Sequence, residues 1–129
     1  MPYLSISPIY ILLNILLVIG LAYRITFLRR RFKIGLGDGD KKPLRLAIAS
    51  HANAIENTPL ALLVMILVEL NAGIPLVLHI SGIVFTAARL WHAWGTSQHA
   101  GSSAGRYYGT VLSWIYIIGM SAYGLYLGL

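Results

Sequence analysis

The chain has 129 residues, 57% of them hydrophobic and 11% charged, with a net charge of +6 and no cysteine. That length makes a single domain over residues 1–129, and the composition makes a bilayer its natural solvent. The missing cysteine excludes disulfides, thiolate nucleophiles and Cys-ligated metals. Cations that gather beside apolar segments point to anionic headgroups and away from nucleic acid.

About 20 apolar residues in helix cross a bilayer core, and four segments meet that length. The first runs roughly Tyr3–Tyr23, interrupted only by Pro8 and Asn14. It has no basic region before it and has cations after it, so it reads as an uncleaved membrane anchor. Next comes a polar connection, Arg24–Arg45, that holds eight of the ten Lys and Arg residues. The positive-inside rule places it in the cytoplasm and both termini on the non-cytoplasmic side. Within it, Gly35, Gly37 and Gly39 alternate with Leu36 and Asp38, but no strand precedes them and no Gly-Lys-Ser/Thr follows. A flexible loop is therefore expected there in place of a phosphate cradle.

The second segment starts near Leu44, after Pro43, and continues to about Leu70. Its first half carries Arg45, Ser50, His51, Asn53, Glu56 and Asn57, whereas Leu60–Val68 is strongly apolar. Asn71–Pro75 is a tight turn, and the third segment runs about Leu76–Trp94. A small, polar connection over Gly95–Gly105, which includes His99, Ala100 and Ser102, leads to the fourth segment, about Tyr107–Leu129. The expected fold is all-α, a membrane-spanning up-down four-helix bundle with short connections. Gly105/Gly109 and Gly124/Gly128 have the four-residue spacing of close helix packing. Tyr3, Tyr10, Trp91, Trp94, Tyr107, Tyr108, Tyr123 and Tyr126 read as interfacial anchors.

Ionisable groups inside membrane helices are costly unless paired or hydrated, so each is a candidate for function. At about 100° per residue, Arg45, Ala49, Asn53 and Glu56 fall within an arc of about 80° on the second helix. His51 points away from that stripe, and Glu69 belongs to the outer interface. Arg89 and His92 share a face of the third helix, and Arg106, Thr110 and Ser113 share one of the fourth. All three stripes lie toward the cytoplasmic ends of their helices and can converge at one depth. A buried ion pair of Glu56 with Arg89 or Arg45 would glue helices together. It would not require three arginines, a histidine and an amide, so a pocket for an anionic ligand is the better explanation; arginine forks suit carboxylates.

The stretch Ser50-His51-Ala52-Asn53-Ala54-Ile55-Glu56-Asn57-Thr58-Pro59 resembles the signature of the MAPEG family, membrane-associated proteins in eicosanoid and glutathione metabolism. Ala88-Arg89-Leu90-Trp91-His92 is similar to that family's third-helix segment, and Gly37-Asp38-Gly39 to a run in its small bacterial members. The resemblance spans essentially the whole chain and implies a bacterial inner-membrane homotrimer. It implies glutathione between helices of adjacent subunits as co-substrate, with a lipophilic molecule or lipid arriving from the bilayer. By the same resemblance Asn53, Glu56, Arg89 and His92 hold the glutathione peptide. Arg29 or Arg24 binds a carboxylate, and Arg106 stabilises the thiolate as the catalytic group. Where members carry an arginine four residues before the motif asparagine this chain has Ala49, with Arg45 a possible substitute. Thr96 and Thr110 stand where members carry tyrosines.

The implied activity is a glutathione transferase or peroxidase acting on lipophilic electrophiles, with Thr110 or Ser113 as a hydroxyl donor. With no cysteine in the chain, the thiolate must come from the ligand. A non-catalytic lipid-binding scaffold of the same family is the alternative, and the absent tyrosines fit it. A small multidrug exporter fits less well, because the first helix offers only Asn14 where such a protein needs a glutamate.

Overall fold

The computed structural model describes residues 3–98, 101 and 103–128. These form four helices: α1 (Ser7–Phe32), α2 (Lys42–Leu70), α3 (Pro75–Gln98) and α4 (Ala104–Tyr126), with no strand among the described residues. Helices α1, α2 and α3 are each long and apolar enough to cross a membrane. The fourth, at 23 residues, is long enough but is not among the three that combine that length with the apolarity to cross. It lies along α3 and also touches α2. Leu12, Leu13, Ile15, Leu16 and Ile19 leave α1 with a broad exposed apolar surface, as lipid contact requires.

The helices end where packing and capping dictate, which differs from hydropathy alone. Helix α1 does not stop at Tyr23; it runs through Arg24 and Arg29–Arg31 to Phe32. Arginine is a good helix former and its long stem can lie along the helix while its head reaches the interface. Lys33 in the left-handed region (φ 55°) closes the helix, and Ile34 N–H donates to Arg29 O at 3.0 Å. Helix α3 likewise passes Gly95 to reach Gln98, because Gly95 packs against α4. In the connection after it, His99, Ala100 and Ser102 lie outside the described residues, as does Leu129.

The turn between α1 and α2 is built, not slack. Gly37 and Gly39 have φ of 69° and 54°, and a Cβ on Gly39 would fall 2.4 Å from Ile34 Cδ1. Asp38 folds back to accept from Asp40 N–H at 2.9 Å, and Arg45 donates to Asp38 Oδ2 at 2.6 Å and Asp40 Oδ1 at 3.2 Å. The bond from Arg45 holds the Asp38 carboxyl below the usual carboxylate range.

The other end of α1 is held by a residue far away in sequence. Ile6 at the N-cap offers no side-chain acceptor, and Pro8 has no N–H. The backbone N–H groups of Ser5 and Ile6 donate to Glu69 Oε1, and that of Ser7 to Oε2, each at 2.7 Å. Glu69, expected to sit passively at the interface, instead clamps the start of α1 to the end of α2. A carboxylate there satisfies amides that would otherwise be bare and complements the positive end of the helix dipole.

An apolar core of Tyr10, Ala61, Met65, Val68, Leu78, Phe85, Tyr116 and Met120 fills this clamped half of the bundle. Tyr10 is thus no interfacial anchor. It is 5% exposed, its ring covers Gly82, and its hydroxyl donates to His79 O at 3.1 Å. At mid-helix Asn14 Nδ2 donates to Tyr10 O and Thr86 Oγ1, both at 2.9 Å, which joins α1 to α3.

Helices α3 and α4 approach most closely at glycines. A Cβ on Gly105 would lie 2.6 Å from Trp91 O, and one on Gly109 2.6 Å from His92 Cβ. The Gly105/Gly109 spacing therefore marks a packing seam. Gly124/Gly128 does not, since Gly128 lies beyond α4 with open space beside it.

The cations of α1 and the following turn make a firm topological expectation. A reporter fused within residues 35–40 should behave as cytoplasmic and one at the C terminus as periplasmic. The reverse pattern would move every polar residue discussed below to the opposite leaflet.

Candidate functional site

The polar half of α2 meets α3 and α4 through one buried guanidinium. Arg89, 1% exposed, donates through Nη2 to Asn53 Oδ1 at 2.7 Å and through Nη1 to Ser113 Oγ at 3.3 Å. Ser113 in turn donates to Gly109 O at 2.7 Å. Three helices are thereby tied by a single side chain. No carboxylate within salt-bridge distance accompanies it among the described residues, where the only ion pairs are those of Arg45 with Asp38 and Asp40.

Around this network several buried polar atoms have no hydrogen-bond partner among the described residues: Ser50 Oγ, Arg89 Nε, His92 Nδ1 and Thr96 Oγ1. Orphaned buried polar atoms are uncommon in proteins and call for an explanation such as a ligand or an ordered water. His92 packs against Gly109 and lies within the electrostatic field of both Arg89 and Arg106. Arg106 stands in the first turn of α4, where Ser103 Oγ accepts from its backbone N–H at 3.3 Å; its Nη1 donates to Gly101 O at 2.9 Å. The positive end of the helix dipole and the guanidinium reinforce one another at that point.

Asn53 and Arg89, from separate helical faces, therefore meet directly, while His92 is linked to Arg89 and Arg106 through their electrostatic field alone. Arg45 does not join them, because Asp38 and Asp40 engage it at the exposed start of α2. Arg29 lies in a different pocket, lined by Thr26, Arg30, Lys33, Ile34 and Gly35. Glu56 is exposed and has neither a hydrogen bond nor an ion pair among the described residues, so the buried Glu56 pair is absent there. Ser113 is fully buried and already donates its proton to Gly109 O, which removes it as a hydroxyl donor to a ligand. Thr110 is half-buried and remains. Tyr108 stacks on Trp91 with ring centroids 5.7 Å apart, on the outside of α3 and α4.

Ser50 and Thr96 also contribute buried polar atoms beside this network. Ser50 is one turn before Asn53 and Thr96 one turn after His92, so both lie on faces already marked by their neighbours. That spacing was the available signal.

The sequence profile of the MAPEG family matches residues 7–126. The chain belongs to the MAPEG family. The inner membrane protein YecN of Escherichia coli strain K12 is 36% identical over 90 residues, which cover 70% of this chain and 69% of the relative. YecN of E. coli strain O6:H1 matches to the same extent. Together with the three apolar helices, these relatives place this MAPEG chain in the bacterial inner membrane.

Proposed function

We propose that this chain is a membrane-bound glutathione transferase or peroxidase acting on lipophilic electrophiles, with the site completed by a neighbouring subunit of a homotrimer. The observation that carries the reading is a polar cluster, built from α2, α3 and α4 around the buried Arg89 guanidinium, which has no carboxylate partner among the described residues. An anionic tripeptide thiol suits such a cluster, and the family supplies the precedent.

Each residue then has a distinct task. Arg89 is too buried to touch the ligand within one protomer. It is a positioning residue: by engaging Asn53 Oδ1 it turns the Asn53 amide N–H groups outward, so that Asn53 offers donors to a carbonyl or carboxylate. Glu56, exposed on the same helix, takes the glutathione amino group. Arg106 at the α4 N-terminus stabilises the thiolate. Free thiols have pKa about 8.5, and a neighbouring cation and a helix N-terminus both lower it. An electrophile dissolved in the bilayer reaches the sulfur from the side.

Calorimetry of the detergent-solubilised protein with glutathione tests this directly, and Glu56→Gln sharpens it. Because Glu56 joins no internal network, the substitution should leave assembly intact and weaken glutathione by about 1–3 kcal/mol, the value of one hydrogen bond to a charged group. A variant that fails to assemble while what remains folded keeps its affinity would return Glu56 to a structural role.

A non-catalytic lipid-binding scaffold is favoured by one specific feature, the lack of a tyrosine hydroxyl beside the cluster. Thr96 is buried, Ser113 is engaged, and Tyr107 and Tyr108 face outward. Glutathione binding with no thiolate and no turnover would select that reading.

A further inference from the structure

On the back of α2, turned away from the Arg89 cluster, α1 and α2 form a groove of about 360 Å³. Ile55, Pro59 and Leu62 line it from α2, and they stand about 180–240° around the helix from Asn53. Helix α1 supplies the other wall, and among the described residues it makes no contact with α4, which carries Arg106. Arg29 lies about 15 Å along α1 beyond Ile19, the innermost α1 residue of the groove. Within the protomer the groove is therefore separate from the residues proposed to hold glutathione.

The walls are apolar at both ends and carry two buried polar side chains in the middle. From the end nearer the Glu69 clamp come Ile11 and Leu62, then Asn14 and Thr58, then Ile19 and Ile55, the order that antiparallel helices give. Asn14 is 0% exposed and Thr58 4%. Neither Asn14 Oδ1 nor Thr58 Oγ1 has a hydrogen-bond partner among the described residues. Tyr10 O can only accept, which fixes the Asn14 amide with Nδ2 toward it; Thr86 Oγ1 takes the second Nδ2 bond. The remaining oxygen can itself only accept. Thr58 has not bonded the carbonyl one turn back, the usual recourse of a helical threonine. Pro59, inside α2, has no N–H, so Ile55 O lacks its helical donor as well.

These features define the chemistry of an occupant. No lining residue is charged, so an ion would find no counter-charge at this depth. Two acceptors and a hydroxyl call for a neutral hydrogen-bond donor. Asn14 lies about 10 Å along α1 from Ser7, within a hydrocarbon core about 30 Å thick, which is too deep for a headgroup. The apolar residues on either side of the polar pair call for chain on either side of the donor. We infer that the α1–α2 groove binds a neutral lipid chain that carries a hydroxyl in its interior, a secondary alcohol. The hydroxyl donates to Asn14 Oδ1 and accepts from Thr58 Oγ1, and the two arms of the chain lie along Ile11 with Leu62 and along Ile19 with Ile55. Both polar atoms are shut off from solvent behind the apolar wall. Entry therefore needs Thr58 to turn about χ1, where a helical threonine has two favourable positions.

The test is native mass spectrometry of the detergent-solubilised protein, titrated with methyl stearate hydroxylated in mid-chain and with plain methyl stearate. The wild type should bind the hydroxylated ester about two- to tenfold more tightly, the worth of one neutral hydrogen bond. Thr58→Val keeps the shape and removes the hydroxyl. It should erase that preference, leave binding of the plain ester unchanged and not lower the thermal midpoint, since no internal bond is lost. Ile15→Trp, which fills the groove from an exposed position, should abolish binding of both esters. Equal affinity of the wild type for the two esters would overturn the inference, because the groove would then read apolar area alone. A lowered midpoint in Thr58→Val with the preference intact would assign that hydroxyl to water or a neighbouring subunit, and undiminished binding to Ile15→Trp would put the lipid elsewhere; either result sinks the site. Should Thr58→Val not fold, the ester pair and Ile15→Trp decide. Glutathione affinity should be the same in all three proteins. If Thr58→Val loses glutathione together with the ester preference, the groove belongs to the glutathione site and this inference fails while the proposed function stands.

Discussion

Arg106→Ala should raise the pKa of bound glutathione and lower its conjugation rate at neutral pH by about 10²–10³, the usual loss when a preorganised stabiliser of an anion is removed. The geometry gives this guanidinium two supports for the task. Its Nη1 is anchored on Gly101 O, and its backbone sits under the Ser103 cap, in the first turn of α4. Arg106→Lys should restore only part of the rate, since a point charge on a flexible stem replaces a planar fork. The ultraviolet absorbance of bound thiolate reports the effect without interference from protein thiols, as the chain has no cysteine. If the wild type binds glutathione with no thiolate band, and Arg106→Ala leaves turnover unchanged, the scaffold reading replaces the enzyme.

The second large effect should come from a single methyl group. A Cβ at Gly109 would meet His92 Cβ at 2.6 Å, Ala88 O at 2.8 Å and His92 Cα at 3.0 Å. Much of that contact is backbone and cannot rotate away, so Gly109→Ala must push α3 and α4 apart. Overpacking of this kind costs about 1–3 kcal/mol. It would also draw Gly109 O, and with it Ser113, away from Arg89. Thermal unfolding in detergent should show a lowered midpoint for Gly109→Ala, together with weaker glutathione binding. Gly119→Ala in the same helix is the control. Nothing lies within 4 Å of that position, and alanine favours helix by about 1 kcal/mol over glycine. Equal behaviour of the two variants would contradict the close crossing.

Much of this architecture was written in the chain. Four apolar runs separated by turn formers and a block of cations specify four antiparallel helices, and arithmetic on single helical faces picked out Asn53, Arg89, His92 and Ser113 before any helix was packed on another. The helix ends were less legible. Arg29, Arg30 and Arg31 look like loop residues by hydropathy, yet hydropathy does not register that a long cationic stem stays helical while its head reaches water. Gly95 looks like a breaker, but its function is to let Gly105 approach. Arg45 was misleading for a local reason: the Gly37 and Gly39 turn swings Asp38 and Asp40 back onto it, and a short-range pair outcompetes a distant pocket. Glu56 shares an arc with Asn53, yet an arc of about 80° is wide enough to run from a buried edge to an exposed one. Glu69 was the hardest to read, since its partners are amides more than 60 residues earlier. No local pattern encodes a cap supplied from that distance.

The Glu69 clamp also constrains how the protein can be made. While the first helix is being inserted it has no acceptor of its own for the amides of Ser5, Ile6 and Ser7. The carboxylate that satisfies them arrives only when the second helix has threaded the bilayer in the opposite direction and delivered its far end to the same side. The natural unit of biogenesis is therefore the α1–α2 hairpin, and a nascent chain stalled before Glu69 emerges would hold a first helix that is in the membrane but not yet anchored to anything.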